Sequence, residues 1–188
     1  MPRVLALLVL GVLGVAFPAS AVAQTPGTGG AQFSDPAPIV APGSKATLLP
    51  DGTAAAPADA PPQVQAAIFA ANKLLDKPYK YGGGHAKVED SGYDCSGTVS
   101  YALLAAKLIK GPLDSSSFMR WGLRGKGAWI TVYTNPGHAF AVIAGLRLDT
   151  STGGITSRKI ARTAERGPRW RVALRSARGF TSRHPVGF

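Results

Sequence analysis

The apolar positions of this chain change period once. In "QVQAAIFAANKLLD" the residues Val64, Ala67, Ile68, Ala71, Leu74 and Leu75 recur at helical spacing and share one face. Asp76-Lys77-Pro78 closes that helix, because proline disfavours helical backbone in the residue before it. "PYKYGGGH" reads as a loop whose three glycines let the backbone bend and pass close to other groups. A second helix is expected from Cys95 to Ile109, with Asp94 as its N-cap and Gly111-Pro112 as its stop. Beyond it the period falls to two. "AWITVY" is rich in strand formers, "TNPG" is a turn, "HAFAVIA" alternates, and "LRLDTS" and "GPRWRVAL" add short strands. Helices followed by a meander of antiparallel strands predict an α+β fold.

The residues before this pattern have other uses. Arg3, the 14-residue apolar run "VLALLVLGVLGVAF" and the small residues Ala21 and Ala23 predict a secretory signal over 1–23, cut after Ala23. The run is short for a bilayer span, so no membrane anchor is expected after cleavage, and the cut site lacks a lipoprotein cysteine. Residues 24–62 are rich in Pro, Ala, Gly and Thr without periodicity and are expected to be a disordered leader. The remainder, 63–188, fits one small domain. These features together predict a secreted, extracellular protein.

Charge is concentrated in that domain. Residues 77–188 carry eighteen Lys and Arg against six Asp and Glu, and from Ser157 onward nine basic residues face one acid, Glu165. Such a surface draws polyanions. For an exported protein the expected ones are wall polymers, acidic glycans or anionic lipid rather than nucleic acid. A merely solvated basic face is the alternative.

Cys95 is the only cysteine, so it has no partner within the chain. Three readings stand: an intermolecular bridge, a buried inert thiol, or a reactive one. At the first turn of a helix the free N–H groups and the dipole favour a thiolate. A nucleophile also needs a base. His138 opens the "HAFAVIA" strand on the face of Phe140 and Val142, and a two-residue turn at Ala144-Gly145 would keep Asp149 on that same face. A carboxylate there would orient the imidazole, against the alternative of a strand-end cap. His85 is the rival base, and His184 reads as a surface or packing residue. One cysteine and scattered histidines give no metal cluster, and "YGGGH" lacks the Lys-Ser/Thr of a phosphate loop, so no cofactor is expected.

"KPYKYGGG", "GYDCSGTVSYAL" and "GHAFAVIAG" with Asp149 together resemble the NlpC/P60 family of secreted cysteine peptidases over about residues 64–155. The resemblance implies a papain-like fold, with N-terminal helices packed on a small antiparallel sheet, and hydrolysis of peptidoglycan stem peptides. It implies Cys95 as nucleophile, His138 as base and Asp149 as orienter. It places Tyr81 beside the thiol, with Asp94 and Ser96 at the substrate's amino end. His85, by its position in the glycine-rich loop, is either the rival base, a residue shaping the substrate cleft, or without a role. The segment "DSSSFMRWGLRGKGAWITVYTNPGH" departs from the family pattern before the histidine, and Asp is not the usual third residue. Two other readings remain: an amidase or other acyl-transfer enzyme with the same triad, and a non-catalytic wall-binding module.

Overall fold

The structure, a computed structural model, describes residues 38–151, 167–172 and 174–188. The expected signal 1–23, the leader as far as residue 37 and the basic stretch 152–166 lie outside the described residues. Residues 38–62 overturn the expectation of a disordered leader. They form β1 (Val40–Ala41), β2 (Thr47–Leu48) and β3 (Ala54–Pro57), with β3 between the other two. Small side chains are what allow this: Ala54, Ala55 and Ala56 are all buried, so β3 lies flat against the first helix. The amide of Asn72 completes the junction, accepting from Ala54 N–H and donating to Ala54 C=O at 2.9 Å each.

That first helix, α1 (Pro62–Asn72), starts at a proline, where a missing N–H removes no intrahelical bond. It buries Val64, Ala67, Ile68, Ala70 and Ala71, close to the face its period marks out. The second, α2 (Cys95–Ala105), ends four residues short of the expected Ile109. Lys107 adopts left-handed backbone (φ 58°). Its N–H and that of Leu108 return to the carbonyls of Leu104 and Leu103, at 2.9 Å each. This double closure satisfies the last turn before Gly111-Pro112 is reached. A one-turn helix, α3 (Ser115–Phe118), follows, capped by Asp114.

Six strands make the main sheet: β4 (Leu123–Arg124), β5 (Ile130–Asn135), β6 (His138–Ile143), β7 (Leu146–Asp149), β8 (Arg169–Arg171) and β9 (Thr181–His184). Every pairing is antiparallel, in the order β4-β9-β5-β6-β7-β8. The architecture is therefore α+β, but the sheet is not the simple meander expected. β9 returns from the β8 edge to pair with β5 on the other side, so the basic C-terminus is part of the sheet. Alternation sends Ala139, Ala141, Ile143 and Leu148 into the core with Val99, Ala102 and Leu103 of α2. Fully burying a larger aliphatic side chain of this kind is worth about 1.5–3 kcal/mol. The opposite face of β6 and β7 carries His138, Phe140 and Asp149.

Candidate active site

The glycine loop and the start of α2 are one unit. Asp94 caps the helix, its Oδ1 accepting from Gly97 N–H at 2.7 Å, and its Oδ2 accepts from Gly82 N–H at 3.1 Å. Gly82 and Gly84 take left-handed backbone (φ 72° and 83°), which side chains rarely adopt. Gly97 is demanded by packing, since a Cβ there would overlap the Gly83 carbonyl oxygen. Tyr93, fully buried, fastens the loop from within: its hydroxyl donates to Val88 C=O (2.8 Å) and accepts from Asp90 N–H (3.0 Å). Sequence reasoning passed over Tyr93, and only its place inside the "GYDCSG" run hinted at it.

This unit presents Cys95 at the first position of α2, partly buried, with the His138 ring and Ala139 N–H placed to favour its thiolate. Burial alone would push the thiol up. The bonds from His138 and Ala139, with the charge of His138, outweigh it and bring the pKa below its ordinary value. His138 Nε2 lies 2.9 Å from Asp149 Oδ1, so Nδ1 is the nitrogen left for the thiol. Burial disfavours the imidazolium, but the bonds to Asp149 and Cys95 prevail and raise it from 6.5 to about 9. Asp149 is 1% exposed, yet its pKa is lowered. Desolvation opposes its ionisation and is overcome by the His138 bond, by Ser151 N–H at 2.8 Å and by nearby Arg147. The shifts run toward a thiolate facing an imidazolium, with the carboxylate orienting the ring.

The hairpin explains why these groups meet. Ala144 (φ 47°) and Gly145 (φ 92°) form a two-residue turn with both residues left-handed, and β6 and β7 pair as Ile143↔Leu146 and Ala141↔Leu148. Continuing that register puts Asp149 opposite Phe140 and diagonal to His138, within reach on one face. The shared face expected from the sequence is present.

The other expected residues are arranged differently. His85 is not on the thiol: its Nε2 lies 3.1 Å from Asp94 Oδ1 and 3.2 Å from Ser96 Oγ. Asp94 and Ser96 are buried and bonded to each other at 3.1 Å, so the Asp94 carboxylate is largely committed to the loop and the helix cap. Tyr81 belongs to the same loop, but its side chain is 91% exposed, standing in solvent. His184 is a packing residue of β9, its Nδ1 lying 3.2 Å from Gly125 C=O. Among the described residues no group of three or more His, Cys, Asp or Glu could hold a metal ion, and no helix is long and apolar enough to cross a membrane.

The chemistry these groups can support is nucleophilic attack on an electrophilic carbon, with proton transfer through one imidazole. No protein-family model matches the chain, and no curated protein sequence does either.

Proposed function

We propose that this protein is a secreted cell-wall hydrolase of the papain-like NlpC/P60 kind, cleaving peptide bonds in peptidoglycan stem peptides. One observation carries the reading: His138, bonded at 2.9 Å to the buried carboxylate of Asp149, faces Cys95 at the start of α2. A purely structural thiol needs no imidazole that is itself oriented by a carboxylate. The quoted motifs around Cys95 and His138 narrow the reaction to this family's amide substrates.

In the proposed mechanism the Cys95 thiolate attacks the scissile carbonyl and forms a C–S bond. The oxyanion falls beside the Cys95 and Ser96 amides of the α2 first turn, since the Asp94 cap occupies the amide of Gly97. His138 gives its proton to the departing amine as the C–N bond breaks, leaving a thioester. The neutral imidazole then takes a proton from water, whose oxygen displaces the thiolate and releases the acid. Positive charge on the domain would hold the enzyme near anionic wall polymers.

The test is incubation of the chain with purified peptidoglycan and mass spectrometry of the released fragments. New amino ends within stem peptides, lost in Cys95→Ala, support the reading. A freed sugar-lactyl group indicates an amidase instead. Binding without fragments, unchanged in Cys95→Ala, indicates a binding module and refutes the enzyme.

A further inference from the structure

Asp149 is held from two sides. Toward the thiol it meets His138; on the other side it meets Arg175, from a segment 26 residues further along that the sequence motifs leave unaccounted for. Arg175 Nη1 lies 3.3 Å from Asp149 Oδ2 and donates to Ser151 Oγ at 2.9 Å. Its guanidinium sits over two aromatic faces, 5.2 Å from the centre of Phe140 and 5.1 Å from that of Phe180. Phe180 in turn sets its edge against His138, ring centres 6.2 Å apart, and against Phe140 at 5.2 Å. The turn between Arg175 and Phe180 is tied down: Phe180 N–H donates to Ala177 C=O (3.0 Å), and Asn135 of β5 donates to Gly179 C=O (3.2 Å). The segment therefore lies across the face of the sheet that bears the imidazole and the carboxylate.

The other charged groups near Asp149 are accounted for. Arg147, on the same strand, is 2% exposed with Nε at 3.6 Å from Asp149 Oδ2, beyond hydrogen-bond distance. Arg169, the register partner of Asp149 on β8, turns its guanidinium to the carbonyls of Leu75 and Pro168. Arg171 pairs in register with Arg147 rather than with Asp149.

We infer that Arg175 is a positioning residue for the site: seated against the rings of Phe140 and Phe180, it fixes the Asp149 carboxylate in the plane that Oδ1 needs to reach His138 Nε2. The inference rests on the catalytic reading of Cys95, His138 and Asp149, but not on the identity of the substrate. It differs in sign from a purely electrostatic role. Removing a cation beside Asp149 would by itself strengthen the carboxylate's hold on the imidazolium and favour the thiolate. Removing a positioning residue lets the carboxylate turn and returns the proton to sulfur.

The readout is the iodoacetamide alkylation rate of Cys95 against pH, on the full chain, which needs no substrate. In Arg175→Met the rate at pH 7 is expected to fall three- to tenfold, with the inflection moving up toward that of a free thiol. Arg175→Lys, which keeps a charged donor, should recover at least half of the loss. In an Asp149→Asn background Arg175→Met should cause no further fall, since the two act through one contact. An unchanged or faster rate in Arg175→Met overturns the inference, as does a full additional loss in the double variant. Should Arg175→Met not fold, Arg175→Gln takes its place with the same expected direction, and an unmoved profile in it is equally fatal. Peptidoglycan digestion by the parent chain is scored separately. Its failure removes the proposed substrate and leaves the alkylation result standing.

Discussion

Replacing Asp149 by asparagine changes the least and asks the most of the proposed chemistry. The carboxylate is 1% exposed and 2.9 Å from His138 Nε2. A rise in the imidazole pKa from 6.5 to about 9 corresponds to about 3 kcal/mol in favour of the imidazolium. A full charge pair at this separation, at an effective dielectric constant near 20, would supply about 6 kcal/mol. The difference is absorbed by the desolvation of His138 and by the arginines that share the carboxylate. The Asp149 bond stands first among the stabilising contacts and the Cys95 bond second. Roughly 2 kcal/mol is therefore taken as what the ionised carboxylate, bond and charge together, adds over a neutral acceptor. An asparagine keeps the acceptor oxygen and removes that charge. The proton then moves back from the imidazole to the sulfur by a factor of about 30.

The assay is alkylation of Cys95 by iodoacetamide from pH 4 to pH 10. With the proposed ion pair in place, the parent chain should react at a nearly constant rate through neutral pH. Asp149→Asn should be about 30-fold slower at pH 7, with its main inflection near the free-thiol value of about 8.5. Hydrolysis, once a substrate is in hand, should lose its alkaline limb near pH 9 and acquire one at about 7.5, because activity needs the imidazolium. A variant that alkylates at the parent rate at pH 7 would show that Asp149 does not sustain the imidazolium, and the three-residue assignment would fail.

Three further outcomes follow from the same geometry. His85→Ala should leave the alkylation inflection in place, since that ring serves Asp94 and Ser96; a shift as large as that of His138→Ala would reverse the choice of base. Gly97→Ala should unfold the loop–helix unit or cost more than about 3 kcal/mol in urea denaturation, because its Cβ would meet the Gly83 backbone rather than a side chain that can move aside. Asn72→Ala strands Ala54 N–H, Ala54 C=O and Trp170 Nε1–H, which bonds Asn72 Oδ1 at 2.8 Å. It should therefore cost about 2–4 kcal/mol, and a loss below 1 kcal/mol would mean that β3 is not integral to the fold.

What was readable in the sequence is local. Helix period marked the buried side of α1, Asp94 stood one residue before a helix start, and pleat parity put His138 and Asp149 on one face. Each of those inferences uses neighbours within a dozen positions. The missed features each join distant parts of the chain. β3 is held by an asparagine 18 positions later and by α1, so its alanines carry no periodic signal of their own. Lys107 ends α2 in a conformation that glycine usually takes, and nothing in its identity announces that. Arg175 and Phe180 reach Asp149 and His138 only because β9 crosses back to pair with β5.

The same crossing changes what the basic C-terminus can do. Of the net charge of +11, much comes from arginines that looked available to a polyanion. Arg169 donates to the Leu75 and Pro168 carbonyls, Arg175 to Asp149 and Ser151, and Arg183 to the Met119 carbonyl. Their guanidinium groups stitch the sheet to the rest of the fold, and releasing them to bind a polymer would sacrifice those bonds. Arg120, Arg124 and Lys126, by contrast, are exposed within one short segment that includes the edge strand β4. A charge-reducing triple variant at these three positions should weaken binding to an anionic wall polymer severalfold at low salt. The deficit should shrink as ionic strength rises and the Debye length falls to about 8 Å near 0.15 M. Alkylation of Cys95 should be unaffected. If Arg183→Gln weakens polymer binding as much as the triple variant while the fold melts as before, the C-terminal arginines are surface cations after all, and their structural role is refuted.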